Sequence, residues 1–131
     1  LTKDHLKFLE TELSKPGARH KFVVFHLPPR NLDIYVDDEE GRGFDKNSHA
    51  LKALMRRMEV DHVFMGHIHG FATTVEDGVR YTISGGGGAS LSKRLGEEGN
   101  VHNFLLIKVS RHNLDTAVFR LIGDQWKRTK I

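Results

Sequence analysis

Apolar positions along the chain change period several times, and each change marks an element. Leu6, Leu9 and Leu13 recur at helical spacing behind Thr2, a suitable N-cap, and Pro16-Gly17 ends the run. Residues 21–26 are apolar on both faces, Phe22 and Val24 on one and Val23 and Phe25 on the other. That is the pattern of a buried parallel strand, and Pro28-Pro29 stops it. Residues 31–46 form a long loop rich in Asp, Glu and Gly, a length that in a compact domain usually serves function or moves. Behind an Asn47 or Ser48 cap, Leu51, Leu54, Met55 and Met58 make an i, i+3, i+4, i+7 stripe. Residues 60–65 are a second doubly apolar strand, closed by Gly66.

Strand, helix, strand in this order predicts a parallel crossover unit. The pattern then turns to hairpins. Residues 71–75 and 79–83 flank Glu76-Asp77-Gly78, and residues 103–109 and 116–122 flank His112-Asn113. Residues 84–90 between them are a glycine-rich loop. The predicted class is α/β, a mixed sheet with two helices and C-terminal hairpins.

Composition narrows the picture. A chain of 131 residues suffices for one domain with its own core, and 38% apolar with 28% charged residues is globular, not disordered. No apolar run approaches the ~20 residues of a membrane span. Asp4 and Glu10 in the first turns are foreign to signal and transit peptides. The absence of cysteine excludes thiolate metal sites and disulfides and leaves the compartment open. The formal charge of +3 comes partly from Lys127-Arg128-Thr129-Lys130, which reads as a solvated tail. Basic and aromatic residues do not interleave as they would to stack nucleic-acid bases. The chain opens at Leu1 inside a helical pattern, as an excised piece would.

The chemistry lies in three histidines. Ligands of open parallel sheets bind outside the carboxyl ends of the strands. His26 closes the first parallel strand, and His67 and His69 follow the second. If the strands are neighbours, roughly 5 Å apart, all three imidazoles share one rim. In an extended segment, residues two apart point the same way, so His67 and His69 address one metal or two adjacent ones. Gly66 relieves crowding there. Imidazole suits zinc, iron, manganese, nickel or copper. Of the other histidines, His62 starts its strand, and His5, His20, His49, His102 and His112 read as surface residues.

These motifs resemble the calcineurin-like metallophosphoesterases. Phe25-His26-Leu27-Pro28-Pro29 resembles that family's His-x-Pro segment, and Gly66-His67-Ile68-His69 its Gly-His-x-His signature. Residues 81–89 are similar to a strand and glycine loop that many bacterial members carry next, and residues 6–13 to the helix before the His-x-Pro strand. The resemblance implies half of a four-layer αββα double β-sandwich, with residues 1–131 as the C-terminal portion of the domain. It implies His26 and His67 on one metal and His69 on a second, both divalent transition ions such as Mn, Zn or Fe. The implied reaction is hydrolysis of a phosphomonoester or phosphodiester by a metal-bridging hydroxide. Gly85 and Gly86 are candidate phosphate-binding positions through their backbone N–H groups. Leu27 stands where many members carry a second histidine.

Three motifs that supply that family's acidic and asparagine ligands are absent: Asp-x-His, Gly-Asp with a second acidic residue, and Gly-Asn-His. Two close cations need a bridging carboxylate to offset their repulsion, which neutral imidazoles cannot supply. Asp61 lies about 16 Å from Gly66 along its strand. Asp33, Asp37, Asp38, Glu39, Glu40 and Asp45 are loop carboxylates, more readily solvated than ligating. The chain alone is therefore expected to bind at most one metal well and to hydrolyse phosphoesters poorly. An apolar sheet face left bare would favour a homodimer or swapped assembly. A non-catalytic metal-binding or interaction module is the alternative, and a plain α/β domain with surface histidines a third reading.

Overall fold

Helix α1 (Lys3–Leu13) begins where the Thr2 hydroxyl accepts the N–H of His5 at 3.2 Å, while the His5 ring accepts the N–H of Thr2 at 3.3 Å. This is a reciprocal capping box with histidine in the place usually held by Glu or Gln. In the computed structural model, which describes residues 1–37 and 43–131, α1 is followed by β1 (Phe22–Phe25), α2 (Ser48–Arg57), β2 (His62–Met65), β3 (Phe71–Glu76) and β4 (Val79–Ser84). One helical turn, α3 (Gly96–Gly99), precedes β5 (Asn103–Val109), β6 (Leu114–Ile122) and β7 (Gln125–Lys130).

The first sheet has the order β1-β2-β4-β3. β1 and β2 are parallel, as are β2 and β4, and β3 returns antiparallel to β4. Asp77 and Gly78 make the β3–β4 turn with φ of 53° and 80°, which suits a two-residue hairpin. One face of the sheet carries Val23, Val63, Met65, Val79, Tyr81 and Ile83. They pack with Leu51, Leu54 and Met55 of α2, which carries the stripe read from the sequence, and with the partly buried leucines of α1. Leu32, Ile34, Tyr35 and Val36 also join this core. The described part of the loop after β1 is thus seated, and the Asp33 N–H holds it to Glu76 at 3.0 Å.

The second sheet, β5-β6-β7, is antiparallel throughout. Its position follows from the two ends of β5. At the start, Asn103 accepts from the Ser84 hydroxyl at 2.6 Å, and its N–H donates to the Gly86 carbonyl at 3.1 Å. Past the end, the Ser110 carbonyl accepts from His20, just before β1, at 3.0 Å. β5 therefore crosses from the C-terminal rim of β4 to the N-terminal side of β1, over the sheet face opposite the helices. His62 and Thr82 on that face are 1% and 0% exposed. The result is a mixed α/β sandwich with antiparallel C-terminal hairpins.

Three expectations change. β1 is buried on one face only: Val23 packs in the core, while Val24 on the other face is 74% exposed. The basic tail is a paired strand: residues 125–130 register against residues 117–122 of β6. The sheet face opposite the helices, expected to lie bare, is covered at His62 and Thr82 and stays open at Val24. Apolar exposure falls on Val24 of this face and on Phe104, Leu106 and Trp126 of the second sheet. Among the described residues no helix is long and apolar enough to cross a membrane.

Candidate metal centre

Parallel pairing of β1 with β2 places Phe25 beside Met65, so both strands end at the same level. Gly66 then donates its N–H to the His26 carbonyl at 3.1 Å, extending the ladder by one residue. This seats His26 beside His67. Their rings meet edge to face, with centroids 5.2 Å apart and planes at 77°. A tetrahedral ion at ~2.1 Å from one nitrogen of each ring would hold the centroids roughly 5 Å apart, so the pair fits one cation.

The backbone at His67 is unusual. Its φ is 69°, and the Ile68 N–H donates to the Gly66 carbonyl at 2.9 Å across it. An i→i+2 bond around a positive-φ residue is the strained form of γ-turn. Strain of this kind costs of order 1–3 kcal/mol and collects at functional sites. Glycine would relieve it, yet the residue there is histidine. Gly66 has a milder role: an added Cβ would reach ordinary contact with the His26 ring at 3.4 Å.

This turn also breaks the period-two argument for His67 and His69. The segment is not extended, so the two rings need not share a direction. His69 is exposed, and its Nδ1 lies 2.9 Å from the Ser90 carbonyl. A carbonyl only accepts, so Nδ1 carries the proton, and in the neutral ring Nε2 then keeps its lone pair, the arrangement that suits a metal ligand.

Carboxylates are the missing element. Asp37 and Asp45 lie 3.7 and 3.9 Å from Arg30, and Asp61 accepts the Lys21 N–H at the far end of the sheet. Asp38, Glu39 and Glu40 lie outside the described residues. Among the described residues no three His, Asp or Glu side chains are grouped to hold an ion. Among the described residues, the spacing of His26 and His67 is compatible with one shared cation, and His69 stands apart as a separate imidazole. The described residues alone do not supply the ligands of two cations.

Gly85 and Gly86 are closely packed. The Gly85 N–H donates to the Gly70 carbonyl at 2.9 Å, and an added Cβ would run into the Ile68 carbonyl oxygen. A Cβ on Gly86 would meet the Asn103 side chain. Gly87 has open space.

Pattern reading missed His62. Its ring stacks on Phe64 at 3.9 Å, and Nε2 lies 2.7 Å from the Thr82 hydroxyl. Thr73 donates to the Tyr81 carbonyl, so Thr82 donates to Thr73 and must accept from His62, which fixes the proton on Nε2. Burial, with the nearby Arg80 guanidinium, pushes the pKa of His62 down to about 4, against a smaller upward pull from Asp61. Only its two apolar strand neighbours hinted at burial, since Thr82 is twenty residues away. A groove along α2, lined by His49, Lys52, Arg56, Arg57 and Asp77, contains none of the three candidate ligands. Its cations are paired, Lys52 with Glu76, Arg56 with Asp77 and Arg57 with Glu10.

Comparison with known proteins bears on this geometry. Among solved structures, GAP50, the anchor in the inner membrane complex of Plasmodium, aligns over 98% of this chain at 19% identity with a TM-score of 0.73. The aligned part is 42% of GAP50. A Vps29 double mutant from Entamoeba histolytica aligns over 100% of this chain and 89% of its own at 15% identity, TM-score 0.50. Zinc-complexed Vps29 from the same organism aligns over 64% of this chain and 46% of its own at 21% identity, TM-score 0.49. The chain spans less than half the length of the first and third of these. At such identities the GAP50 likeness shows a shared fold. No curated protein matches the chain. The family profile described as calcineurin-like phosphoesterase matches residues 1–71, more than half the sequence. The chain belongs to the calcineurin-like phosphoesterase family.

Proposed function

We propose that this chain is the C-terminal, histidine-bearing portion of a metal-dependent phosphoester hydrolase. In this reading His26 and His67 hold one divalent transition ion, and His69 faces the position of a second. The observation that carries it is the pairing of His26 with a backbone-strained His67 at the carboxyl ends of two parallel strands. Strain at a metal-ligating residue type, on the rim where such sheets bind ligands, is a functional arrangement.

When bound, the two cations would supply charge neutralisation at the phosphoryl group and activation of water. The chain's own residues do the rest. The γ-turn aims His67 at His26, and the Ser90 carbonyl holds the proton of the neutral His69 ring on Nδ1, leaving Nε2 as the ligating atom. The glycine-rich segment from Gly85 and Gly86 onward borders the place a phosphate would occupy, with the open positions after Gly86 best able to present free N–H groups. The acidic ligands come from sequence upstream of Leu1, so the isolated chain is inactive. The substrate is a phosphomonoester or phosphodiester.

The test compares this chain with the same chain extended through its upstream coding sequence. The extended protein hydrolyses an aryl phosphate in Mn, Zn or Fe, and the present chain does not. If neither is active in Mn, Zn, Fe or Ni, the hydrolase reading fails.

The absence of a grouped carboxylate among the described residues favours one second reading, a metal-binding or interaction module without catalysis. It predicts about one metal per chain and no acidic motifs upstream. Exposed Val24, Phe104, Leu106 and Trp126 support a homodimer or swapped assembly, which light scattering would detect as twice the monomer mass.

A further inference from the structure

The turn that carries His67 and His69 is wrapped by a later stretch of chain, and the wrapping is made of backbone. The Gly85 N–H donates to the Gly70 carbonyl at 2.9 Å. Gly85 also lies so close to the Ile68 carbonyl that no Cβ fits between them. Five residues on, the Ser90 carbonyl accepts from the His69 ring at 2.9 Å. Two residues further, the Ser92 N–H donates to the His69 carbonyl at 2.7 Å. His69 is therefore gripped by ring and by main chain from one segment, and that segment is seated through Gly85.

We infer that residues 85–92 form a positioning collar for His69, fixing its ring orientation and its Nδ1–H tautomer so that Nε2 is the nitrogen left to ligate a metal. The collar rests on the metal role proposed above. It gives Gly85 a task other than phosphate binding, close approach to the Ile68 backbone. Ser90 acts through its carbonyl and Ser92 through its N–H, so neither hydroxyl is needed.

Two glycine substitutions separate the collar from general loop stiffening. Gly85→Ala and Gly87→Ala restrict the unfolded chain equally. Only the first meets a backbone atom, and Gly87 has nothing within 4 Å of an added Cβ. The readout is the long-range ¹H–¹⁵N spectrum of the His69 ring in metal-free protein at alkaline pH, followed by a zinc titration observed at the same ring in the chain extended through its upstream coding sequence. Wild type and Gly87→Ala show the proton on Nδ1. Gly85→Ala shows a shift toward Nε2–H and a zinc midpoint raised tenfold or more, the range for losing an outer partner of a ligand. Nε2–H in the wild type, or identical tautomer and midpoint in Gly85→Ala, overturns the collar. Should Gly85→Ala not fold, Ser92→Pro, which removes the N–H donor to His69, takes its place under the same criteria. If neither folds, the wild-type tautomer decides. If wild type takes up no zinc, the metal reading fails while the tautomer comparison still judges the collar.

Discussion

The imidazole of His26 stands nearly perpendicular to that of His67, 5.2 Å away between centroids, although forty-one positions separate them in sequence. Strand pairing brings their backbones together, because β1 and β2 run parallel and end in register. Two imidazole rings at this separation invite a shared cation. The expected outcome is uptake of about one Zn or Ni per chain. His26→Ala or His67→Ala lowers the affinity at least tenfold and leaves the fold intact. Calorimetric titration with circular dichroism as the folding control checks this. Unchanged uptake in both variants would remove the site.

His67→Asn separates strain from ligation. Asparagine enters the positive-φ region more readily than histidine. Relief of part of the backbone strain should raise stability by about 0.5–1 kcal/mol, or roughly 2–5 °C in melting temperature, while metal affinity falls. A thermal melt with and without zinc reads both effects. A variant that melts lower than wild type in metal-free buffer would contradict the strain assignment.

His62 predicts a specific acid sensitivity. The unfolded chain protonates this ring near the ordinary 6.5, and the folded chain only near 4. The unfolded state therefore binds more protons between these values. Stability is complete above pH 6.5, declines as the pH drops through the window, and is fully lost from this source near pH 4. At ~1.36 kcal/mol per pKa unit, the loss is about 3 kcal/mol. Urea unfolding at pH 7 and pH 4.5 measures it. His62→Gln, which keeps a donor for Thr82 but cannot titrate here, should flatten that part of the profile. An equally steep decline in His62→Gln would assign the sensitivity elsewhere.

Removing residues 125–131 tests β7. All six of its residues are exposed, as a solvated tail's would be, yet it pairs with β6 along residues 117–122. Its loss uncovers the backbone beside Ala117 and Val118, which are 2% and 1% exposed in the whole chain. The melting temperature should drop by roughly 5–10 °C, with more association through the new edge. A truncated protein that melts like the full chain would mean that the pairing contributes nothing to stability.

Much of this was legible before any coordinates. The Thr2 cap, the Leu51-Leu54-Met55-Met58 stripe and the Asp77-Gly78 turn are local rules, in which neighbours within a few residues set the outcome. Side-chain periodicity also found six of the seven strands. It failed at β7, where Lys127, Arg128 and Lys130 carry no apolar alternation and pairing comes from the β6 ladder. It overstated the burial of β1, because apolar residues on two faces do not reveal what packs over each face.

The sequence by itself determined the family, the parallel crossover and the placement of His26, His67 and His69 at strand ends, since each follows from short motifs and from where apolar runs stop. Only the tertiary structure decided which rings meet. A γ-turn at His67 replaces the extended geometry that periodicity assumes, so His67 pairs with His26 while His69 turns to Ser90. The same holds for His62, whose neutral, buried state depends on Thr82 and on a second sheet laid across it, both supplied by chain far away in sequence. Local rules act over a few residues, whereas ring orientation and desolvation are set by whatever distant segment packs alongside.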